Sequence, residues 1–345
     1  MSTSAHAKMF RAVSSFSSQS IKCHDEFERA LTNLNPLLKS EIKFSRIVIC
    51  AMGGSAFPME ILRVWLKDEL TLTLHRDYPS RLPVNKPDTL YLLISFSGNT
   101  EEVLACAEDL LTQGASLCAI SSGGKLTDWC KDNHVPLIGF PSLPADFQPR
   151  CAGGYFLGFV GRLLDALGVT RSLTAELEDG FARLESKRSS VEAEGVRLAQ
   201  FFEKGERWIL GYPCLAETVG RIGRIKLNEN AKLIVHYDNL PEFNHNQMVA
   251  AVSDESKRVQ FLFLEQDGLA AQERHRLETC KAFMVTQGFE CASLSCHGDT
   301  LLEQMLYGVW VLDFASLRLA AKKGIDPLEI ASIESFKIQL KESKG

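Results

Sequence analysis

The chain has 345 residues, of which 45% are hydrophobic and 23% charged, so it is globular and long enough for about two domains. These values exclude a disordered chain, a collagen-like repeat and a simple coiled coil. Its 38 basic and 43 acidic residues give a formal net charge of -5, which argues against a broad nucleic-acid-binding surface but permits a small anion site.

The N-terminal segment 1–23 lacks the apolar core of a secretory signal; a transit peptide and the start of a helix both fit its composition. The ten cysteines are scattered and form no Cys-x-x-Cys pair, which predicts reduced thiols and a cytoplasmic protein. The most apolar long stretch, 151–169, is interrupted by Arg162 and Asp165. We therefore expect a buried helix there and no transmembrane span.

Four short apolar runs in the first half predict buried strands, three of which lead through a turn into a helix. The predicted strands are 46–51, 89–94, 116–120 and 135–140, and the predicted helices are 59–66, 101–111 and 126–131. Strands that alternate with helices are typical of a parallel sheet in an α/β protein.

The composition then becomes charged and helical between residues 171 and 206, which predicts long helices that join two lobes. The strand pattern returns afterwards, with strands at 207–210 and 259–264 and helices at 217–226, from Leu269 and from Thr300. We therefore predict an α/β fold of two similar sandwich lobes with mainly parallel sheets. The N-terminal lobe comprises residues 1–170 and the C-terminal lobe residues 171–345.

The turn after the second predicted strand has the sequence Ser95-Phe-Ser-Gly-Asn-Thr100 and leads into a helix. The first N–H groups of a helix have no partner within it and the dipole is positive at this end, so the turn attracts a phosphate. Hydroxyls of Ser95, Ser97 and Thr100 add donors. The pattern predicts a cradle for a phosphate monoester. The alternative is an N-cap by Ser97 or Asn99, although a cap requires only one such residue.

A turn of the same kind, Met52-Gly-Gly-Ser55, follows the first predicted strand. Two glycines allow the backbone to approach a ligand closely, and Ser55 adds a hydroxyl. Because both turns follow strands of one parallel sheet, we expect Gly54 and Ser55 to lie near Ser95 at its carboxyl edge. A third turn, 121–124, either joins them or is a plain connection.

The segment 226–246 is dense in polar residues interleaved with apolar ones, which is unusual for a solvated loop. Its Glu229 and His245 are candidates for acid–base chemistry, because carboxylate and imidazole groups can be tuned to work near neutral pH. Each residue also has a structural alternative to a catalytic role. Glu229 would then be a carboxylate on a helix surface, and His245 a hydrogen-bonded histidine in the core. Their separation is too large for one helix face, so the sequence does not establish that they meet.

Two further charged residues are candidates, one before a predicted helix and one within a predicted helix. Arg150 precedes the Gly-rich helix start at 151–154, where an arginine could stabilise developing negative charge; a surface salt bridge is the alternative. Lys337 belongs to a predicted C-terminal helix that follows Pro327. Its spacing alone indicates only a solvated lysine.

Three motifs in this order carry a family resemblance: Ser95-Phe-Ser-Gly-Asn-Thr-Glu-Glu102, Asn228-Glu-Asn-Ala-Lys232 and Pro241-Glu-Phe-Asn-His-Asn246. They resemble the archaeal-type bifunctional phosphoglucose/phosphomannose isomerases, whose two lobes have the sugar isomerase (SIS) fold. The resemblance covers most of the chain. Ser-x-Ser-Gly-x-Thr alone is typical of any SIS domain that binds a sugar phosphate, and the other two motifs narrow it to isomerases.

The resemblance implies a role for each candidate residue. The implied substrate-binding residues are Gly54, Ser55, Ser95, Ser97 and Thr100. Glu229 would move a proton between C2 and C1 of the sugar, and Arg150 would stabilise the enediolate that forms. His245 and Lys337 would open the sugar ring, with the histidine reaching in from the partner subunit of a homodimer whose active site lies at the interface.

The implied activity interconverts glucose 6-phosphate and mannose 6-phosphate with fructose 6-phosphate. A proton shift between adjacent carbons needs a base, a charge stabiliser and an acid–base group at the ring oxygen, so we expect no metal and no cofactor. The expected partners are a small sugar phosphate and a second copy of the chain, not a nucleic acid or a membrane. The alternatives are an isomerase of another sugar or aminosugar phosphate, and a non-catalytic sugar-phosphate sensor. Sensors usually carry a DNA-binding helix-turn-helix, for which the chain has no basic segment.

Overall fold

The computed structural model describes residues 2–253 and 258–343. In its first part, helices precede, connect and follow the strands of one sheet. The helices are α1 (Ser2–Ser14), α2 (Phe16–Lys22), α3 (His24–Leu38), α4 (Gly53–Trp65), α5 (Glu101–Thr112), α6 (Gly124–Asp132) and α7 (Gly153–Leu167). The strands are β1 (Arg46–Ala51), β2 (Thr71–His75), β3 (Thr89–Ser95), β4 (Ser116–Ser121) and β5 (Leu137–Gly139).

Two helices, α8 (Leu173–Ser186) and α9 (Arg188–Phe201), connect this part to the second sheet. The strands of the second sheet are β6 (Glu206–Gly211), β7 (Val235–Asn239), β8 (Val259–Gln266) and β9 (Glu290–Cys296). Its helices are α10 (Pro213–Leu215), α11 (Arg221–Ala231), α12 (Gln247–Ser253), α13 (Ala271–Thr286), α14 (Leu301–Lys323) and α15 (Ala331–Glu342). A π-helical turn at Ala216–Gly220 leads into α11.

Both sheets are parallel, with strand orders β2-β1-β3-β4-β5 and β7-β6-β8-β9. In each, the first strand in sequence lies between the second and the third, so the strand order reverses there. In the first sheet Ala51 pairs with Ile94, and Ser95 pairs with Ser121, so β1, β3 and β4 end at one edge. Ligands of such sheets bind at the carboxyl edge where the order reverses, here between β1 and β3.

The central strands are apolar runs because helices cover both of their faces. All seven residues of β3 are buried. On one face, Val48, Tyr91 and Leu93 pack in a cluster with α5 and α6. On the other face, Ile49 and Ile94 belong to a core that also includes residues of the second sheet.

Helix α14 is the centre of this shared core. Nearly every residue from Leu302 to Ala320 is buried. The indole Nε1 of Trp310 donates a hydrogen bond of 2.9 Å to the carbonyl oxygen of Val13, which ties α1 to α14. The first helix of the chain therefore packs on a helix from its last part.

The structure confirms the predicted α/β fold class with parallel sheets. The predicted strands at 46–51, 89–94 and 116–120 are β1, β3 and β4, and the helical stretch 171–206 forms α8 and α9. Each side of the predicted division at residue 170 holds one sheet, and the division itself stays a prediction.

Three strands, β2, β7 and β9, were not predicted, and all of them lie at sheet edges. Edge strands have one free side and are partly exposed, so they do not need the continuous apolar run by which we predicted strands. The N-terminal segment, for which two interpretations were open, forms α1 and α2. The buried helix expected at 151–169 is α7, and no helix among the described residues is long and apolar enough to cross a membrane.

Candidate active site

The turn between β3 and α5 presents hydroxyl and N–H groups at the sheet edge. Ser95 is buried, and its Oγ lies 2.8 Å from Oγ1 of Thr100. Ser97 is exposed, and its Oγ accepts a hydrogen bond of 3.3 Å from the N–H of Asn99. Thr100 occupies the N-cap position of α5 without making a side-chain cap, so the first N–H groups of this helix are not satisfied by that residue.

The alternative interpretation, an N-cap of α5 by the side chain of Ser97 or Asn99, is not seen in the structure. The Oδ1 atom of Asn99 accepts a hydrogen bond of 3.3 Å from the N–H of Lys125, which lies in the first turn of α6 and not in α5. The turn 121–124 packs behind it: Ser122 donates its N–H to the carbonyl oxygen of Phe96 over 3.0 Å. Gly98, at φ +65°, is so close to this second turn that a Cβ would lie 1.8 Å from the carbonyl oxygen of Gly123.

The turn between β1 and α4 links the hydroxyl-bearing turn to Arg150. The Oγ of Ser55 accepts a hydrogen bond of 3.1 Å from the N–H of Phe96. A Cβ on Gly54 would lie 2.7 Å from the backbone nitrogen of Arg150 and 2.9 Å from the carbonyl carbon of Pro149. Glycine at position 54 is therefore required by the close approach of two backbones.

Arg150 lies in a 3-10 turn, Pro149–Cys151, and only 3% of its side chain is exposed. Its Nε donates to Oδ1 of Asn230 over 2.8 Å, and Nη2 donates to the carbonyl oxygen of Pro327 over 2.5 Å. Nη1 donates to Oε1 of Gln148 over 2.9 Å and lies 3.1 Å from Oε2 of Glu229. Every nitrogen of the guanidinium is engaged, so its charge is fixed in place.

Glu229 lies near the end of α11 and is more open than its partner, with 26% of its side chain exposed. The helix ends at Lys232, which is left-handed at φ +53°. The Nζ of Lys232 donates to the carbonyl oxygens of Glu229 (2.6 Å) and Glu329 (2.5 Å). Burial, and then the charge of Arg150, lower the pKa of Lys232. Glu229, the predicted base, thus lies near a helix end and next to the buried guanidinium of Arg150.

Comparison with known proteins supports a family assignment. A family model described as bacterial phospho-glucose isomerase C-terminal SIS domain matches residues 192–340. The bifunctional phosphoglucose/phosphomannose isomerase of Aquifex aeolicus (strain VF5) is 30% identical over 315 residues, which are 89% of this chain and 93% of that protein. The chain belongs to the bifunctional phosphoglucose/phosphomannose isomerase family.

Two further comparisons agree. The bifunctional phosphoglucose/phosphomannose isomerase of Caldicellulosiruptor bescii is 27% identical and covers 90% of this chain and 94% of its own. The crystal structure of tagatose-6-phosphate ketose/aldose isomerase from Escherichia coli matches with a TM-score of 0.66 at 14% identity, over 96% of this chain and 97% of that one. This structural likeness shows the fold. The resemblance to the isomerase family that the sequence motifs indicated is confirmed.

Two of the candidate residues of this family member are not joined to the pair formed by Arg150 and Glu229 by a hydrogen bond or ion pair among the described residues. His245 is exposed at the end of a 3-10 turn, Glu242–His245. Lys337 is exposed on α15, where it forms an ion pair of 2.9 Å with Glu334. Within the part of the chain that the structure describes, neither side chain bonds to Arg150 or Glu229. Their assigned roles stay predictions.

The second sheet of this isomerase-family chain has no equivalent phosphate cradle at its strand-order reversal, among the residues that the structure describes. Tyr212 and Pro213 follow β6, and the Tyr212 hydroxyl already donates to the carbonyl oxygen of Glu273 over 3.0 Å. Proline has no N–H to offer. Asp267, which follows β8, would repel an anion. The hydroxyl-rich turns therefore belong to the first sheet.

We did not predict two residues that contact Arg150 directly, Gln148 and Asn230. Both are neutral amides close in sequence to residues that we did predict. An uncharged amide does not by itself indicate acid–base chemistry or the binding of a charged group, so we did not select them from the sequence. Asn230 is fully buried, and its Nδ2 donates to Oγ of Ser316 over 2.9 Å. An asparagine inside a helix is unfavourable unless its side chain finds a partner, which was the available hint.

Proposed function

We propose that this chain is an aldose–ketose isomerase that interconverts glucose 6-phosphate and mannose 6-phosphate with fructose 6-phosphate through a cis-enediolate. The observation that carries the proposal is the ion pair between Arg150 and Glu229, 3.1 Å apart, beside the close backbone approach of Gly54. The ion pair joins the proposed base and the proposed charge stabiliser near the turns that we propose bind the phosphate. The relatives' names supply the substrate class.

Glu229 is proposed as the base. It removes the proton from C2 of the open-chain aldose and returns it to C1 of the enediolate, which yields the ketose. Because the enediolate has no stereochemistry at C2, glucose 6-phosphate and mannose 6-phosphate converge on the same intermediate. One carboxylate therefore serves both epimers.

Arg150 is proposed to stabilise the enediolate oxygens. A buried guanidinium that is held at every nitrogen does not need to reorganise when negative charge develops, and such preorganisation supplies most of the rate enhancement of many enzymes. Its bonds to Asn230 and Pro327 hold the cation in place, so its charge is available whether or not Glu229 is protonated.

The substrate phosphate is proposed to bind at the start of α5. The exposed Ser97 hydroxyl, the hydroxyl of Thr100 and the first N–H groups of the helix are the available donors. Buried Ser55 and Ser95 support the turn through the N–H of Phe96 and through Thr100. Neutral donors and a helix dipole suffice for a dianion, which explains how a chain of net charge -5 binds one.

Ring opening is assigned to His245 and Lys337. His245 is exposed, and no hydrogen bond or ion pair among the described residues joins it to Glu229. We therefore propose that it acts from a second subunit, in a homodimer with the active site at the interface. The balance of charge and the largely buried free thiols fit a cytoplasmic enzyme of small metabolites, without a nucleic-acid or membrane partner.

The direct test is a coupled assay of the purified protein with glucose 6-phosphate and with mannose 6-phosphate, each with and without EDTA. We expect fructose 6-phosphate to form from both, at rates that EDTA does not change. Inactivity on both substrates would contradict the proposal and favour an aminosugar phosphate isomerase or a sugar-phosphate sensor.

A further inference from the structure

Lys226 is a fully buried cation whose position neither the motifs nor the proposed mechanism explain. It lies on α11, one helical turn before Asn230, and is 1% exposed. Its Nζ lies 2.7 Å from Oδ1 and 2.9 Å from Oδ2 of Asp313, and it also donates to the backbone carbonyl oxygen of Arg150. The same ammonium lies 4.8 Å from the ring centre of Phe57.

Stability alone is a weak reason for such a pair. Removing two charges from water is costly, and replacing a buried ion pair by apolar residues of similar volume is often neutral or stabilising. Burial raises the pKa of Asp313, while Lys226 lowers it, so the environment does not favour the carboxylate by itself. The neighbouring cavity measures only about 10 Å³, so the pair is closely packed.

The contacts of the pair lead to Arg150. Helix α14 carries Asp313 and Ser316 one turn apart, and α11 carries Lys226 and Asn230 one turn apart. Asp313 holds Lys226, which binds the backbone of Arg150. Ser316 accepts from Asn230, which binds the side chain of Arg150. Two chains of contacts, through Lys226 and through Asn230, thus connect α14 to Arg150.

We propose that Lys226, held by Asp313, is a positioning residue that sets the backbone of Arg150 so that its guanidinium faces Glu229. The inference rests on the proposed isomerase function and deepens it. Lys226 does not touch the substrate; it acts through Arg150. Without its ammonium, the buried carbonyl oxygen of Arg150 loses its donor, and the 3-10 turn that carries the arginine relaxes.

The consequence for catalysis is specific. A displacement of about 1 Å at a catalytic group can cost roughly 10²-fold in rate. The hydrogen bonds and the ion pair of Lys226 with Arg150 and Asp313 do not involve the β3–α5 turn, where the phosphate is proposed to bind, so we expect ground-state binding to remain. The proposal therefore predicts a loss in kcat per folded molecule with little change in KM. A general loss of stability would lower only the folded fraction, so kcat is calculated from the concentration of folded protein.

The test is the paired variant Lys226→Met/Asp313→Leu, which removes both charges and keeps the volume. We expect kcat for fructose 6-phosphate to fall about 10²-fold with KM within about twofold of wild type. Affinity for a five-carbon aldonate phosphate, whose planar carboxylate imitates the enediolate, should fall in parallel with kcat. Wild-type kcat in this folded variant would overturn the inference.

Two further variants separate positioning from folding. Lys226→Gln/Asp313→Asn keeps hydrogen bonding without charge and should hold kcat within about threefold of wild type, including where the apolar pair does not fold. A fall of about 10²-fold there would also overturn the inference. The control is Arg162→Met, which removes another buried cation, paired with Glu178 at 2.5 Å, and should lower Tm while kcat stays.

The wild-type protein is assayed alongside. If it isomerises neither hexose 6-phosphate, the proposed function fails and the inference fails with it. If it is active and the apolar pair is equally active, the inference alone fails.

Discussion

Glu229 and Arg150 differ in exposure, 26% against 3% of the side chain, and this difference suits their proposed roles. A base must reach the substrate and change its protonation state, whereas a charge stabiliser works best when it cannot move. The buried Arg150 is held by Asn230, Gln148 and the carbonyl oxygen of Pro327, while the carboxylate of Glu229 stays partly accessible to solvent.

Replacing the proposed base should separate catalysis from binding. We expect Glu229→Gln to lower kcat by about 10³-fold or more, within the range for a lost general base, because an amide cannot accept the C2 proton. Binding of fructose 6-phosphate, measured by calorimetry, should remain largely intact. Turnover close to wild type in this variant would refute the assignment.

The hydroxyls of the β3–α5 turn should act mainly on affinity. We expect Ser97→Ala and Thr100→Ala each to raise KM by roughly tenfold, about the worth of one hydrogen bond to a charged group, with a smaller effect on kcat. Thr112→Ala at the far end of α5 is the matched control, because its hydroxyl donates to the carbonyl oxygen of Asp109, away from the turn. An unchanged KM in both turn variants would place the phosphate elsewhere.

At the scale of elements, the site depends on how closely three segments approach each other. Helix α4 begins against the 3-10 turn that carries Arg150, and the turn before α5 is bonded to Ser55 at the start of α4. The C-terminal end of α11 binds the segment before α15 through Lys232. The position of each proposed catalytic group is therefore set by a neighbouring element.

Gly54→Ala tests the closest of these approaches. The added Cβ would meet backbone atoms at 2.7 and 2.9 Å, which cannot rotate away, so the turn with Arg150 must shift. We expect a folded protein whose kcat is reduced by about 10²-fold, by the same displacement argument. Gly139→Ala is the control, since nothing lies within 4 Å of a Cβ there. Equal kinetics in both variants would show that the approach at Gly54 does not govern catalysis.

At the scale of the whole molecule, the proposed site belongs to both halves of the chain. Arg150 comes from the segment after the first sheet and Glu229 from a helix of the second, and α14 lies in the core that both sheets share. The role proposed for the exposed His245 would extend the site to a second chain, because no hydrogen bond or ion pair among the described residues joins it to Glu229 of its own chain.

Subunit mixing tests the shared site. His245→Ala and Glu229→Gln should each be inactive alone, and a re-equilibrated equal mixture should regain about a quarter of wild-type activity. Half of the dimers are then mixed, and each mixed dimer of a two-fold assembly holds one intact site. Activity that does not return on mixing, in a sample shown to exchange subunits, would place His245 in the site of its own chain.

The hydroxyl-rich turns and the central strands were predictable from the sequence because their signals are local. Strand, turn and helix start follow each other within a few residues in Met52–Ser55 and in Ser95–Thr100. Apolar runs likewise mark β1, β3 and β4, which helices cover on both faces. These features need no knowledge of the rest of the chain.

Only the tertiary structure decided that Arg150 meets Glu229 and that Lys226 meets Asp313. The members of these pairs are distant in the chain, and isolated charged residues carry no record of their partners. A single lysine on the apolar face of α11 and a single aspartate in the apolar α14 were visible separately. Burial is what pairs them, since a charge removed from water must find a partner.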